Sequence, residues 1–198
     1  MMNYVYCYKM TWDTEFAPNP HRNFLTLATC KPVIRRCAQV GDWISGWTAI
    51  TVKDKEHQSW NFRDCPKLIY LAKITAKVNY DVYWRDYPKK RPNKCESGDN
   101  IYEPKGDDFF QHANAGEHGE ADKAHDLKGK HVLICEEFYY FGVRDAIHID
   151  WEIFPYKVPR CKKIIEEDAK KFIQYVQNNK KLAIYSRQDE DNIKQERF

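Results

Sequence analysis

The sequence predicts an α+β fold in which a curved, largely antiparallel mixed sheet is flanked by a short N-terminal helix and one long C-terminal helix. Short segments rich in Tyr, Val and Ile follow one another without the regular strand–helix alternation of a parallel α/β protein. One longer segment near the C-terminus carries apolar residues at helical spacing. The length of 198 residues suits one domain, which we place at residues 1–186, followed by a polar tail at 187–198.

Six segments are typical of strands, because β-branched and aromatic residues dominate them. They are residues 3–10, 24–30, 42–50, 68–77, 131–136 and 138–141. The segment LIYLAKITAK, at 68–77, predicts a central strand of the sheet. Residues 13–23 contain two prolines and residues 52–67 are polar, so both predict loops.

The two predicted helices cover residues 33–38 and 161–178. The first begins after Pro32, whose fixed φ suits a first helical turn, and it ends before Gly41. The second carries an apolar stripe formed by Ile165, Ala169, Phe172, Ile173 and Val176. Residues 97–130 show neither helical nor strand periodicity, and such a long irregular segment predicts a functional or disordered loop.

Composition narrows the class of protein. The seven cysteines form no CxxC pair and mostly lie in apolar runs, so we expect them to be reduced and the protein to be cytoplasmic. No stretch approaches the length of a membrane span, and the chain does not open with a secretory signal. Residues 1–95 hold 16 basic and 8 acidic residues, a balance that favours an anionic partner or a merely dipolar surface. P-loop, GxGxxG and GxSxG motifs are absent.

The first candidate site is the run TLATCKPVIRRCAQVGDWISGW at residues 26–47. Lys31 and Arg35 would hold a phosphate near the start of the first helix, and Trp43 and Trp47 would stack on a base. Cys30, at the same turn, would be either a nucleophile or an inert buried thiol. The alternative for the whole run is a helix packed on a strand, with solvated arginines and both tryptophans in the core.

The second candidate site is the polar stretch at residues 98–118. Its side chains suit the recognition of base edges, and they include Asp99, Asn100, Tyr102, Gln111 and His118. Of these, Asp99 and His118 would serve as catalytic acid and base. The alternative is a solvated surface loop. Histidines 112, 118, 125 and 131 recur without metal-ligand spacing, so we predict neither a metal nor another cofactor.

The third candidate site is a basic and aromatic arm at residues 80–94. Cations for phosphates and rings for bases are what single-strand binding uses. The candidate nucleic-acid-binding residues are Tyr83, Trp84, Arg85, Lys89, Lys90 and Arg91. A surface hairpin with a basic tip explains the same residues.

Several blocks, in order over residues 3–150, resemble the nucleotide modification associated domain family, type 2. They are DTEFAPNPHRNFLTLATCKPVIRRCAQVGDWISG, IYLAKITAKVNYDVYWRD, GDNIY with QHANAGEH, and VLICEEFYYFG. The resemblance implies a bacterial or phage protein linked to DNA-base modification and phage–host conflict, and it adds Asp42 to the ligand-binding candidates. This chain departs from the family pattern at Glu15, at His21 and Arg22, and at residues 113–115.

At the level of fold, the GDWI turn is also similar to PUA-like domains, the modified-base-reading domains of the pseudouridine synthase and archaeosine transglycosylase type. The leading hypothesis is recognition of a nucleotide or modified base, with DNA as a further candidate partner. The alternatives are an enzyme acting on a nucleotide or DNA base, and a non-enzymatic interaction or sequestering protein in phage defence. All ligand hypotheses require residues 30–46 and 98–118 to share one cavity. The oligomeric state stays open.

Overall fold

The computed structural model describes residues 4–63, 65–95, 97–114, 118–155, 158 and 162–179. The strands in these ranges are β1 Val5–Asp13, β2 Leu25–Leu27, β3 Trp43–Asp54, β4 Ser59–Asn61, β5 Leu68–Lys73, β6 Ala76–Asn79, β7 Tyr102–Lys105, β8 Asp108–Gln111, β9 His131–Cys135, β10 Glu137–Tyr140 and β11 Lys162–Ile164. The helices are α1 Pro32–Cys37, α2 Tyr80–Asp86, α3 Glu120–Leu127 and α4 Glu166–Asn178, and a 3₁₀ turn occupies Pro88–Lys90.

Hydrogen bonding divides the strands into three sheets. The largest has the order β10-β5-β3-β1-β11, with β4 paired to the distal part of β3. Within it, the β1–β3 pair is parallel and the other pairs are antiparallel. A second antiparallel sheet has the order β2-β9-β6, and β7 and β8 form a separate hairpin. The predicted α+β class with largely antiparallel sheets is therefore confirmed, and in the described residues the sheets stay open.

Packing on both faces of the large sheet follows from the alternation of side chains along its strands. In β1, Val5 and Cys7 face the cluster that α4 covers, whereas Tyr8 and Met10 face the second sheet. The helix α1 contributes Ile34 to this second cluster. The residues that precede α1 are therefore fixed between the two sheets.

A third cluster lies on the far side of the second sheet. It joins Tyr80 and Tyr83 of α2 to Tyr102 of β7 and Val132 of β9. The residues predicted as a basic arm thus begin with a helix whose aromatic side chains belong to a core. Asn79 begins this helix by accepting a hydrogen bond from the backbone N–H of Val82, at 2.9 Å.

Most of the predicted stripe of the long C-terminal helix is confirmed, since Ala169, Phe172, Ile173 and Val176 are buried against the large sheet. Ile165 was predicted wrongly, because it precedes the helix and its side chain is exposed. Complete burial of one such apolar side chain contributes about 1.5–3 kcal/mol. The helix begins later than predicted, because β11 occupies Lys162–Ile164 and Ile164 is in register with Val5.

Three other boundaries were predicted wrongly. Residues 68–77 form two strands in different sheets, separated where the backbone N–H of Ile74 donates to Asp42 and that of Thr75 donates to Ile134. Residues 52–67 were expected to be a loop, but β3 continues to Asp54 and turns into β4. Residues 97–130 contain β7, β8 and α3. The predicted tail at 187–198 lies outside the described residues.

Among the described helices, none has the length and apolar character needed to cross a membrane.

Candidate active site

A sharp turn between β2 and α1 presents Cys30. Both Cys30 and Lys31 have left-handed backbone conformations, with φ of 56° and 39°, and Pro32 follows as the first helical residue. Each left-handed non-glycine residue costs about 1–3 kcal/mol, so the surrounding structure must hold the turn in place. Strain of this kind concentrates at functional sites.

The buried guanidinium of Arg35 holds the turn. Its Nε donates to the carbonyl of Cys30 at 2.7 Å, and Nη2 donates to the carbonyl of Asp126 at 2.5 Å. Its Nη1 donates to the Tyr80 hydroxyl and to the carbonyl of His131, at 2.6 and 2.9 Å. Arg35 therefore ties the turn to α3 and to β9.

The side chains of Cys30, His118 and Asp126 form a relay. The Sγ of Cys30 lies 3.4 Å from Nε2 of His118, and Nδ1 of the same ring lies 2.6 Å from Oδ2 of Asp126. A thiol, an imidazole and an orienting carboxylate in this order make up the nucleophile, base and positioning group of a cysteine-dependent active site.

Asp126 is fully buried and has a partner for each oxygen. Its Oδ1 accepts the backbone N–H of Cys30 at 2.7 Å, and its Oδ2 accepts the hydroxyl of Tyr102 at 2.8 Å as well as the His118 ring. Burial raises the pKa of Asp126, but the hydrogen bonds and charge of His118 and the bonds from Cys30 and Tyr102 outweigh it and keep this pKa below its usual value. Asp126 is therefore a carboxylate at neutral pH.

The same contacts act on His118 in the opposite direction. Burial lowers the pKa of His118, whereas its hydrogen bonds and charge interactions with Asp126 and Cys30 raise it, and the result is a pKa of about 10. The ring is an imidazolium at neutral pH. This cation lies 3.4 Å from the Cys30 sulfur.

The three side chains are also a candidate cation site, because a sulfur, a ring nitrogen and a carboxylate oxygen lie within 4.8 Å of one another. Their arrangement suits a relay better than a chelate. Cys30 contacts Nε2 of the ring and Asp126 contacts Nδ1, whereas a metal ion binds one of these nitrogens only. The imidazole thus stands between the other two groups.

A cavity of about 310 Å³ opens beside the relay. Its wall is formed by β1, the segment that follows β1, the Cys30 turn and two histidines. The Phe16 ring lies 5.1 Å from that of His118, and Lys31 Nζ lies 4.8 Å above the Tyr8 ring. The lining residues are Tyr8, Met10, Thr11, Trp12, Thr14, Phe16, Ala17, Cys30, Lys31, His57 and His118.

The structure brings the first and second predicted segments together at this cavity. Cys30 and Lys31 from the first and His118 from the second all line it. The carboxylate that contacts the His118 ring is that of Asp126, and the predicted catalytic residue Asp99 does not contact the ring. Asp99 is fully buried, where it accepts hydrogen bonds from Thr26 and Tyr83, both at 2.6 Å.

The other residues of the first segment that were predicted to bind ligand lie in the core or hold the backbone in place. Trp47 is 2% exposed and stacks on Phe154 with ring centroids 4.3 Å apart, and Trp43 is 3% exposed in the same core. Asp42 accepts the backbone N–H groups of Tyr4 and Gln39. These side chains support the fold and do not line the cavity, so the alternative of a packed helix and strand describes both tryptophans. It is wrong for Arg35, which is buried and not solvated.

The second predicted segment is likewise mostly structural. The amide of Asn100 donates to the carbonyls of Tyr83 and Tyr87, at 2.9 and 3.0 Å. The hydroxyl of Tyr102 supports Asp126 in the way described above. The amide of Gln111 donates to the carbonyls of His118 and Gly119, at 3.0 and 3.1 Å, and so shapes the chain around the histidine.

Within the third predicted segment, Tyr83 and Lys90 are buried, so neither presents its side chain to a nucleic acid in this conformation. Lys90 Nζ donates to the Asn19 side chain at 2.7 Å and to the carbonyl of Phe24 at 2.8 Å. Burial lowers the pKa of Lys90 to about 8, although nearby Asp99 raises it in part.

The remaining side chains of that segment lie nearer the surface. Arg85 is exposed and paired with Asp86 at 2.6 Å, and Lys89 is exposed. The Arg91 guanidinium lies 4.0 Å above the Trp84 ring, and both side chains are half-buried.

Asp126 was not among the predicted site residues. The helix that carries it, α3, has eight residues and buries a carboxylate, whereas a helix is normally recognised by its apolar stripe. The available signal was at its start, where Gly119 is followed by Glu120 and Asp122. Asp122 accepts the backbone N–H of Gly119 at 3.0 Å, as acidic residues in a first turn often do.

Fold and site together define an α+β protein in which a buried carboxylate orients a histidine against a cysteine on a strained turn. The chain belongs to the family described as nucleotide modification associated domain 2, whose model matches residues 2–192. This match confirms the resemblance found in the sequence, and it associates the chain with nucleotide modification. No curated protein and no solved structure matches the chain significantly.

Proposed function

We propose that the protein is a cysteine-dependent enzyme that acts on an acyl group of a nucleotide or nucleobase. The observation that carries the proposal is the relay of Cys30, His118 and Asp126 at the edge of a cavity. A protein that only bound a base would have no need of a thiol, an imidazolium and a buried carboxylate in this order. Catalysis by nucleophilic attack requires this order.

The proposed reaction follows from the order of the three groups in the relay. The thiolate of Cys30 attacks a carbonyl carbon, and a carbon–sulfur bond forms while the carbonyl oxygen takes the electron pair. As the carbonyl re-forms, the bond to the leaving amine or alcohol breaks and His118 gives that group its proton. Neutral His118 then takes a proton from water or from an acceptor, which attacks the thioester and releases the thiolate.

The nucleotide part of the proposal rests on the family and on the wall of the cavity. A volume of about 310 Å³ lies within the range of small-molecule sites. Trp12 is 45% exposed at this cavity and offers a ring to a planar base, and Lys31 offers a cation to an anionic group. We further propose that this activity serves DNA modification or phage–host conflict.

Two further proposals concern the chain as a whole. A cytoplasmic setting is consistent with the free cysteines at positions 7, 30, 37, 65, 95 and 135. We also keep the assignment of residues 1–186 to a single domain, because the family model extends across nearly all of that range.

Selective alkylation tests the nucleophile. Iodoacetamide is added to the full chain at pH 7, and the modified cysteines are mapped against time by mass spectrometry. Cys30 should react at least about tenfold faster than Cys37, although Cys37 is the more exposed. The reason is that, of these two thiols, Cys30 is the one that contacts the His118 imidazolium. His118→Asn should remove this difference.

A matched control comes from a second thiol–imidazole contact, in which Cys65 Sγ lies 2.9 Å from Nδ1 of His148. His148→Asn should alter the alkylation of Cys65 and leave that of Cys30 unchanged. Equal rates for Cys30 and Cys37, or a Cys30 rate that ignores His118→Asn, would refute the proposed enzyme. Faster alkylation of Cys30 after treatment with a chelator would instead assign the three side chains to a metal.

A further inference from the structure

Two cavities of the molecule meet at His118. The second has a volume of about 590 Å³ and lies between the β7–β8 hairpin and the start of α3. Its lining includes Phe110, Gln111, His112, Gly119 and Lys123, together with His118. We propose that this cavity binds a second substrate, a nucleoside or nucleotide whose base stacks on Phe110, with its edge toward the His112 ring, and accepts the group carried by Cys30. This inference rests on the proposed function and makes the enzyme a transferase.

The aromatic wall of the second cavity is a rigid corner. The rings of Phe110 and His112 meet at 87° with centroids 4.9 Å apart. The Trp84 ring stacks on the His112 ring at an angle of 17° and a centroid distance of 4.8 Å. The Arg91 guanidinium lies 4.0 Å above the Trp84 ring. A hydrogen bond of 2.8 Å from the His112 ring to Glu103 fixes the imidazole further. A planar base would therefore meet surfaces that need no rearrangement.

Phe110 has no packing role in the described part of the molecule that explains its position. Along β8, Phe109 faces inward and its ring lies 5.6 Å from that of Tyr80, so it belongs to the third core cluster. Phe110 points to the opposite face and is 54% exposed. A single exposed ring is ordinary on a protein surface, but this one borders a cavity and adjoins a supported imidazole. A flat aromatic ligand would cover the Phe110 ring and contact the His112 imidazole.

The charges of the cavity indicate which part of a nucleotide it recognises. Its cations are already paired, Lys123 with Asp108 at 2.8 Å and His118 with Asp126 at 2.6 Å, and Glu120 adds a negative charge to the lining. Among the described lining residues, the cavity therefore presents no unpaired positive charge to a phosphate. Base and sugar carry the recognition, and the phosphate remains in solvent.

His118 is suited to serve a reaction between the two cavities, since it lines both and contacts the thiol. After the leaving group has taken the proton of His118, the ring is neutral and can accept a proton. An amine or hydroxyl of the second substrate gives its proton to the neutral His118 ring, and its nitrogen or oxygen bonds to the thioester carbon. The carbon–sulfur bond then breaks. Cys30 returns as thiolate and His118 as imidazolium.

The test is equilibrium binding by isothermal titration calorimetry, with Cys30→Ala in the full chain to prevent turnover. The probes are the four 2′-deoxynucleosides and their 5′-monophosphates. At least one nucleoside should bind, and its monophosphate should bind within about threefold of it. Phe110→Ala should weaken this binding at least about tenfold, whereas Phe110→Tyr should retain it.

One control locates the ligand. Trp151→Ala removes an exposed ring that lines neither cavity, so it should leave nucleoside binding unchanged. Indifference to Phe110→Ala, an equal loss of binding in Trp151→Ala, or no binding by any probe would each overturn the inference.

Alkylation of Cys30 in proteins that retain this cysteine separates this inference from the proposed function. Phe110→Ala should leave the rate of Cys30 alkylation unchanged, because it does not touch the relay. An unreactive Cys30 therefore refutes the enzyme, whereas a reactive Cys30 with Phe110-independent binding refutes only the second site.

Discussion

Replacing Asp126 with Asn tests the electrostatics of the relay with little change of shape. The Asn side chain can still accept the backbone N–H of Cys30 through one oxygen, but it carries no charge toward His118. The rise of the His118 pKa from 6.5 to about 10 corresponds to about 5 kcal/mol in favour of the imidazolium. Asp126 and Cys30 share this interaction, and burial opposes it. If Asp126 supplies half or more, Asp126→Asn should bring the His118 pKa to about 8 or below.

The assay is NMR titration of the His118 ring in the original protein and in Asp126→Asn, with Asp107→Asn as the control because Asp107 is exposed in the β7–β8 turn. Circular dichroism establishes that the variant is folded. A His118 ring with a pKa of about 8 is still about 90% protonated at pH 7, so alkylation of Cys30 at pH 7 should change less than about twofold in Asp126→Asn. A His118 that titrates near 6.5 in the original protein, or that is indifferent to Asp126→Asn, would refute the reasoning.

Two further variants examine the support of the site and the pH dependence of stability. In Gly129→Ala the new Cβ would lie 2.2 Å from the Arg35 guanidinium. We therefore expect the free energy of unfolding in urea to fall by about 1–3 kcal/mol and the alkylation of Cys30 to slow. Gly119→Ala, whose new Cβ would meet nothing within 4 Å, should change both quantities much less. Burial raises the pKa of Asp13 to about 6 despite its hydrogen bonds from Tyr140 and Val143. A carboxyl group whose pKa is raised on folding stabilises the protein fully below its unfolded pKa and loses that effect as pH rises, so the unfolding free energy should fall by about 2 kcal/mol between pH 4 and pH 6 from this group. Asp13→Asn should remove that part of the slope, and an unchanged slope would contradict the assignment.

The sequence predicted the elements whose signal is local. The helix α4 was found because an apolar stripe recurs along one segment, and α1 because a proline marks its start. The long β5–β6 segment was misread as one strand because no proline, glycine or other turn signal divides residues 68–77. Which sheet each half joins depends on pairing with β3 and β9, and no residue within the segment encodes that.

Half of the candidate site followed from the same kind of reasoning. Cys30, Lys31 and His118 lie in the two segments that were expected to share a cavity, and the structure places them there. Arg35 and Lys90 were expected at the surface because charged side chains are rarely buried. Their burial depends on acceptors supplied by distant residues, such as the carbonyl of Asp126 for Arg35 and that of Phe24 for Lys90.

The position of Asp126 explains how the strained turn and the site depend on each other. Its backbone carbonyl binds Arg35, its Oδ1 binds the backbone of Cys30, and its Oδ2 binds the histidine. The same residue therefore holds the turn that presents the thiol and orients the ring beside it. Without α3 in place, the left-handed conformation at Cys30 would lose the hydrogen bonds that offset its strain, and the imidazole would lose its carboxylate. Docking of α3 thus brings the proposed nucleophile Cys30 and its proposed base His118 together, although the two residues are 88 positions apart in the chain.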